Sequence, residues 1–295
     1  MKSKRLAAVD IGTNSCRLLI ADLSDQHIVP VLTTLRTTRI GEGATECGLL
    51  GEIPMERTVR ALSEYLDLSR EFEAAHLRVV ATSAVREASN TAFFLDRVRK
   101  VTGIQVEVIS GMEEARLNYL GACHAVNPSG RGIVLDIGGG STEFTYPLPG
   151  EGASRLGCQS IHIGAVRLTE QPRLLSEIIR PMKDILDEIK SLSRWAMIGV
   201  GGTITSLAAV DQILDPYDSD RVQGYRLSKD AVERIMFCLA AKNSEERKKV
   251  PGLMPERADI IVAGTTILWS ILSYLDRPVI TVSEADILHG IILEI

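Results

Sequence analysis

Short apolar runs alternate along this chain with segments whose apolar residues recur at helical spacing. Leu6 to Val9, Leu77 to Ala81, Ile133 to Leu135, Ala196 to Val200 and Val279 to Val282 read as buried strands, because compact apolar runs between polar or glycine-bearing segments suit a strand covered on both faces. Arg17 to Ala21, Val29 to Ile40, Ile104 to Ile109 and Thr142 to Tyr146 add further strand. Between them, Val59, Leu62 and Leu66 predict a helix from Met55 to Phe72, and Asn90 begins another that runs through Val101. One long helix is expected over Pro172 to Leu192, with Leu175, Ile178, Met182, Ile185 and Ile189 on its buried face. Further helices follow Gly201, Ser228 and Glu256, and Glu284 to Ile295 closes the second lobe. Gly41 to Pro54 reads as a loop with Glu42 and Glu46 solvated.

The buried strand Ile133 to Leu135 runs into Asp136-Ile137-Gly138-Gly139-Gly140-Ser141-Thr142-Glu143. A carboxylate at the end of such a strand is costly unless it meets a cation or a donor. Glycines let successive N–H groups converge on an anion, and Ser141 and Thr142 add hydroxyls. A plain hairpin turn would look the same. A second copy favours phosphate: Asp10-Ile11-Gly12-Thr13-Asn14-Ser15 aligns Asp10 with Asp136 and Ser15 with Ser141 without a gap, and sets Arg17 opposite Glu143. The long offset predicts two related lobes, 1–125 and 126–295, with the boundary in the polar stretch Ala122 to Arg131. Two such hairpins facing each other would form a cleft for polyphosphate.

Three other stretches carry candidate chemistry. Arg86 follows a strand, where parallel-sheet proteins place ligands, and it is a phosphate contact or a surface arginine paired with Glu87 or Asp96. Gly201-Gly202-Thr203 between strand and helix suits phosphate at a helix N-terminus. Ser110 and Glu113 fit a capping box, which gives Glu113 a structural task and leaves Glu114 as the better base for activating water.

Composition narrows the setting. The 295 residues are 45% apolar with a net charge of -5, which describes an α/β protein with ample core and argues against nucleic acid as the main partner. No signal peptide and no apolar run of membrane length is visible, and the five scattered cysteines point to the reducing cytoplasm. The five histidines show no HExxH spacing, so neither a zinc site nor a Ser-His-Asp triad is proposed.

Assembled in order, these motifs resemble the exopolyphosphatase / guanosine pentaphosphate phosphohydrolase family. The matching residues are Asp10 to Ser15 with Arg17-Leu18, Ala81 to Arg86, Ser110-Gly111 with Glu113 to Arg116, Asp136 to Glu143, Gly164 to Glu170, Gly199 to Thr203, Pro251 to Leu253 and Glu256 to Asp259. The resemblance implies an α/β fold of two ribonuclease H-like lobes of the actin-like ATPase superfold, mixed sheets flanked by helices, with an interlobe cleft. It implies removal of a terminal phosphate with Mg²⁺, or Mn²⁺ in its place, with Glu114 as catalytic base and Asp136, Glu143 and Asp10 near the metal. Phosphate contacts are expected from Asn14, Ser15, Arg17, Arg86, Gly138, Gly139, Gly140, Ser141 and Thr142, with Gly202 and Thr203 added from the helix N-terminus.

A homodimer is also what the resemblance implies. The chain looks like the short form, without the C-terminal HD-type domain of longer members. Near its end it has Leu288 where the family commonly has arginine, which bears on any binding role of that turn. Inorganic polyphosphate is the leading substrate and guanosine pentaphosphate the alternative, since both present the same terminal phosphate. Readings from other classes are a kinase or ATPase of the same superfold, and an idle sensor of polyphosphate or an alarmone.

Overall fold

The computed structural model describes residues 3–25, 27–44, 48–128, 131–148, 156–192 and 195–295. Glu46 and Cys47, and residues 129–130 of the expected boundary, lie outside them. The chain divides into two compact units, Met1–Gly121 with Ile287–Ile295, and Ala122–Asp286.

The first unit is built on a five-stranded sheet in the order β3-β2-β1-β4-β5. Its strands are β1 (Lys4–Ile11), β2 (Cys16–Ser24), β3 (His27–Arg36), β4 (His76–Ala81) and β5 (Val106–Val108). The first three are antiparallel, and β4 and β5 continue the sheet parallel to β1. The second unit repeats this arrangement with β6 (Arg131–Ile137), β7 (Thr142–Pro147), β8 (Leu156–Ile161), β9 (Trp195–Val200) and β11 (Val279–Val282), and adds β10 (Arg226–Ser228) at the edge. Both sheets therefore have the ribonuclease H-like order, and the duplicated motif occupies the same place, the β1–β2 and β6–β7 turns, in each.

Among the described residues, the helices α1 (Glu52–Glu71), α2 (Ser83–Glu87), α3 (Thr91–Thr102) and α4 (Gly111–Val126) begin in chain order in the first unit. In the second unit come α5 (Ala165–Glu170), α6 (Leu175–Ile179), α7 (Lys183–Ser191), α8 (Gly201–Asp211), α9 (Ser219–Val222), α10 (Lys229–Ala240), α11 (Ser244–Arg247) and α12 (Ile261–Tyr274). The terminal helix is α13 (Ile287–Glu294).

Local chemistry explains where these differ from expectation. Helix α1 starts at Glu52, inside the segment read as loop, because Pro54 in a first turn lacks an N–H that would have no helical partner anyway. The single helix expected over 172–192 is interrupted by a short 3₁₀ turn, Arg180–Met182, since Pro181 cannot donate to the preceding turn. Strand β5 spans only three residues of the six predicted. Glu42 is exposed, as read, and there pairs with Arg57 at 2.6 Å.

The largest difference concerns the C-terminus. Helix α13, assigned from its position in the chain to the second lobe, packs on the first sheet. Strand β1 is apolar on both faces: Ala7, Val9 and Ile11 join a cluster with Leu62, Tyr65 and Phe94, while Leu6 and Ala8 pack with Leu117, Ile287, Leu288, Ile291 and Ile292. Each aliphatic side chain buried this way contributes about 1.5–3 kcal/mol, so α13 seals a face that would otherwise be wet. Leu288 is 4% exposed and belongs to that seal.

The backbones of α13 and α4 meet directly. A Cβ placed on Gly290 would lie 2.1 Å from the Leu117 carbonyl oxygen, a contact no side chain can share. Gly290→Ala should therefore push α13 off the sheet and destabilise the chain by about 1–3 kcal/mol. The check is the midpoint of urea unfolding; an unchanged midpoint would show that the helix shifts without cost.

Candidate active site

The two duplicated turns share one backbone device. The Gly12 N–H donates to the Ser15 carbonyl at 3.0 Å, and the Gly138 N–H donates to the Ser141 carbonyl at 3.0 Å. Each turn joins two antiparallel strands in register, so the aspartate at the end of the first strand has one residue directly opposite it. In the first unit that residue is Arg17 and in the second it is Glu143.

This one difference gives the turns different electrostatics. The Arg17 Nε and Nη2 both donate to Asp10 Oδ2, at 3.2 and 2.7 Å, and Asp10 is 5% exposed. The guanidinium offsets the cost of burying this carboxylate, so Arg17, expected on phosphate, and Asp10, expected near metal, are joined to each other. Nearby, the Thr13 and Ser83 hydroxyls share a hydrogen bond of 2.8 Å. The segment after β3 is bound to the same turn, with the Arg39 N–H donating to the Asn14 carbonyl at 2.8 Å and the Gly41 N–H to the Thr13 carbonyl at 3.0 Å. Arg39 has φ of 48°, a left-handed conformation unusual outside glycine. Thr13 and Ser83 lie within motifs read from the sequence, but their mutual bond spans 70 residues and Arg39 lies in no motif, so neither contact was legible there.

From Ser83 the chain enters helix α2, which carries Arg86. The Arg86 Nη1 donates to Glu114 Oε2 at 2.9 Å and to the Ile109 carbonyl at 3.0 Å. Of the sequence alternatives for Arg86, neither Glu87 nor Asp96 is this partner; the structure brings it to the candidate base instead. Glu114 is buried, 9% exposed, on the first turn of α4. The capping box forms only in half. The Ser110 hydroxyl accepts from the Glu113 N–H at 3.2 Å, but the Glu113 carboxylate pairs with Arg116 at 2.8 and 2.9 Å. The hydrogen bonds from Arg116 hold this carboxyl below the usual range. Cys16, at the start of β2, is no candidate nucleophile, because burial pushes its thiol well up.

In the second unit, Asp136 and Glu143 are cross-strand neighbours, and Glu143 is 3% exposed with Oε1 accepting from the Ser160 hydroxyl at 2.7 Å. Opposed carboxylates repel, with Cβ atoms about 4.5–5.5 Å apart in such pairs. Hard, anionic oxygens set side by side are the donor set that Mg²⁺ takes from a protein while it keeps waters and substrate oxygens as its other ligands. The pair fits such an ion. Among the described residues no group of three or more His, Cys, Asp and Glu is arranged to hold a metal.

Helix α5 fixes the shape of the second turn. The Ala165 N–H donates to the Gly138 carbonyl at 2.9 Å, the Val166 N–H to the Gly139 carbonyl at 2.9 Å, and the Arg167 Nε to the Gly140 carbonyl at 3.0 Å. These carbonyls are turned towards α5 and away from any anion. Gly164 makes this possible, since a Cβ there would lie 2.4 Å from the Gly139 oxygen. Ser141 lies in the same turn, 3% exposed. Helix α8 approaches as closely: Gly201 has φ of 79°, and a Cβ on it would sit 2.3 Å from Asp136 Oδ1. Gly202 lies under the Arg257 guanidinium, a neighbour the sequence did not single out for this site.

Two expected contacts change character. Thr142 donates its hydroxyl to the Ile163 carbonyl at 2.6 Å and is fully buried. Thr203 donates to the Ile137 carbonyl at 3.1 Å and is 3% exposed. Both hydroxyls tie neighbouring segments to the hairpin, so neither is turned to a phosphate. Their positions at a turn and a helix start made them look available; backbone carbonyls beside them accept their hydrogen bonds.

The same architecture occurs in known proteins. Residues 19–295 match the Ppx/GppA phosphatase family. Exopolyphosphatase 2 of Mycobacterium tuberculosis is 32% identical, covering 100% of this chain and 99% of its own. The bifunctional 3-dehydroquinate synthase/phosphatase of Fusobacterium nucleatum is 33% identical over 98% of this chain, which spans 46% of that protein's length. The crystal structure of the Aquifex aeolicus member of the Ppx/GppA family superposes with a TM-score of 0.82 at 32% identity, covering 99% of this chain and 97% of that one. With its duplicated aspartate turns and ribonuclease H-like sheets, the chain belongs to the Ppx/GppA phosphatase family.

Proposed function

We propose that this protein is an exopolyphosphatase, a Mg²⁺-dependent hydrolase that releases terminal orthophosphate from inorganic polyphosphate. The observation that carries the reading is the buried Glu114 carboxylate, held by Arg86 at 2.9 Å at the start of α4. The full-length likeness to the Mycobacterium tuberculosis exopolyphosphatase supports it.

Glu114 is the base. It takes a proton from the attacking water as the water oxygen bonds to the terminal phosphorus and the bond to the bridging oxygen breaks. The shortened chain leaves with the electron pair of that bond. Arg86 orients Glu114, and its planar fork has further N–H groups suited to phosphate oxygens. Asn14 and Ser15 in the first turn, and Gly139 to Ser141 in the second, supply N–H and hydroxyl donors for the polyphosphate oxygens. Asp136 and Glu143 would hold Mg²⁺, which when bound offsets phosphate charge and that of the leaving oxygen.

Orthophosphate release from long-chain polyphosphate tests this directly. Glu114→Gln should lose about 10²–10⁴-fold in rate with little change in thermal midpoint; near-normal turnover would remove Glu114 from the base role. A chelator should abolish release and added Mg²⁺ restore it, whereas binding of polyphosphate without Mg²⁺-dependent turnover would favour a sensor. Glu143→Gln should raise the Mg²⁺ concentration for half-maximal rate by at least about tenfold, since losing a ligand costs no less than losing a supporting partner. Guanosine pentaphosphate assayed beside polyphosphate shows which substrate the site prefers.

A further inference from the structure

Helix α13 does more than cover apolar surface. Glu294, on its last turn, reaches the Arg116 guanidinium at 2.5 and 2.7 Å and Arg78 at 3.6 Å. Arg116 also holds Glu113, and Arg78 holds Glu107 on β5 at 3.0 Å. One carboxylate of the terminal helix thereby joins β4 and β5 to the turn of α4 that begins two residues after Glu114. The next residue, Leu117, is the one whose carbonyl meets Gly290. Charge and backbone contact brace the same turn of α4, while Arg86 grips Glu114 itself.

Energetics argues that the charged brace serves geometry. The side chains of Glu294 and Arg116 are 25% and 40% exposed, and ion pairs this open to water add little to stability. The apolar seal keeps α13 in place; the ion pairs fix the pitch of α4 against it. A base acts only within hydrogen-bond reach of its water, so small rotations of its helix matter to rate well before they matter to folding.

We propose that Glu294 and Arg116 are positioning residues for the reaction: the terminal helix holds α4 in the orientation that aims the Glu114 carboxylate. This rests on the reading of Glu114 as the base. It gives the last residues of the chain a part in catalysis without contact to substrate.

The experiment measures kcat and KM for polyphosphate hydrolysis in Mg²⁺, with thermal midpoints, for Glu294→Gln, Arg116→Met, Glu114→Gln and the double variant Glu114→Gln/Glu294→Gln. Glu294→Gln and Arg116→Met should each lower kcat about tenfold, with KM changed less than about twofold and the midpoint nearly constant. The double variant should be no slower than Glu114→Gln alone, because a residue that acts through Glu114 has nothing left to position. Wild-type kcat in Glu294→Gln beside an inactive Glu114→Gln overturns the positioning role and leaves the base intact. A further loss in the double variant, or an effect on KM alone, also overturns it. Near-normal turnover by Glu114→Gln instead removes the base, and the positioning role with it.

Discussion

A carboxylate at the buried end of a strand must be compensated, and the residue opposite it in register decides how. Both units of this protein place an aspartate at the end of their first strand, close the following turn with the same N–H to carbonyl bond, and return along an antiparallel partner. Arginine stands opposite in one case and glutamate in the other. Asp10 is thus paired with a guanidinium within its own unit, while Asp136 is set beside a second carboxyl group. The first arrangement is a partly buried ion pair. The second sets two carboxylates side by side, so two copies of one device meet different surroundings through a single side chain.

The turns keep their shape because backbones approach where no side chain would fit. Gly164 lets α5 reach the carbonyls of Gly138 and Gly139, Gly201 brings α8 against Asp136, and Gly290 brings α13 against Leu117. Each of these contacts fixes an element that carries or borders candidate chemistry. With the carbonyls of the second turn bound to α5, its conformation is set by hydrogen bonds independent of any substrate. Preorganisation of this kind is what a phosphoryl-transfer site needs, since its catalysis is mostly positioning and charge.

Much of this is legible in the residue order alone. The aspartate turns, Arg86, Glu114 and the double glycine after β9 are local patterns, and local patterns survive in the sequence as spacing and residue type. Pro181 and Pro54 were also legible, but their effect depends on whether each proline falls in a first turn or an interior one. The hydroxyls of Thr142 and Thr203 looked like phosphate donors because they flank turns; what they bind are carbonyls on segments 21 and 66 residues away in the chain. Arg17, expected on phosphate from its place beside the turn, has Asp10 as its register partner, a pairing that only the sheet reveals.

The sequence by itself determined the duplication, the alternation of strands and helices, and the residue types at both turns, since periodicity and glycine placement act over a few residues. Only the tertiary structure decided which charges pair, which hydroxyls are already engaged, and where the last helix docks. Helix α13 shows the reason. Its apolar face names no partner by itself; in the fold a glycine fits against Leu117 and a glutamate meets Arg116, partners about 170 or more residues distant that no local pattern can name.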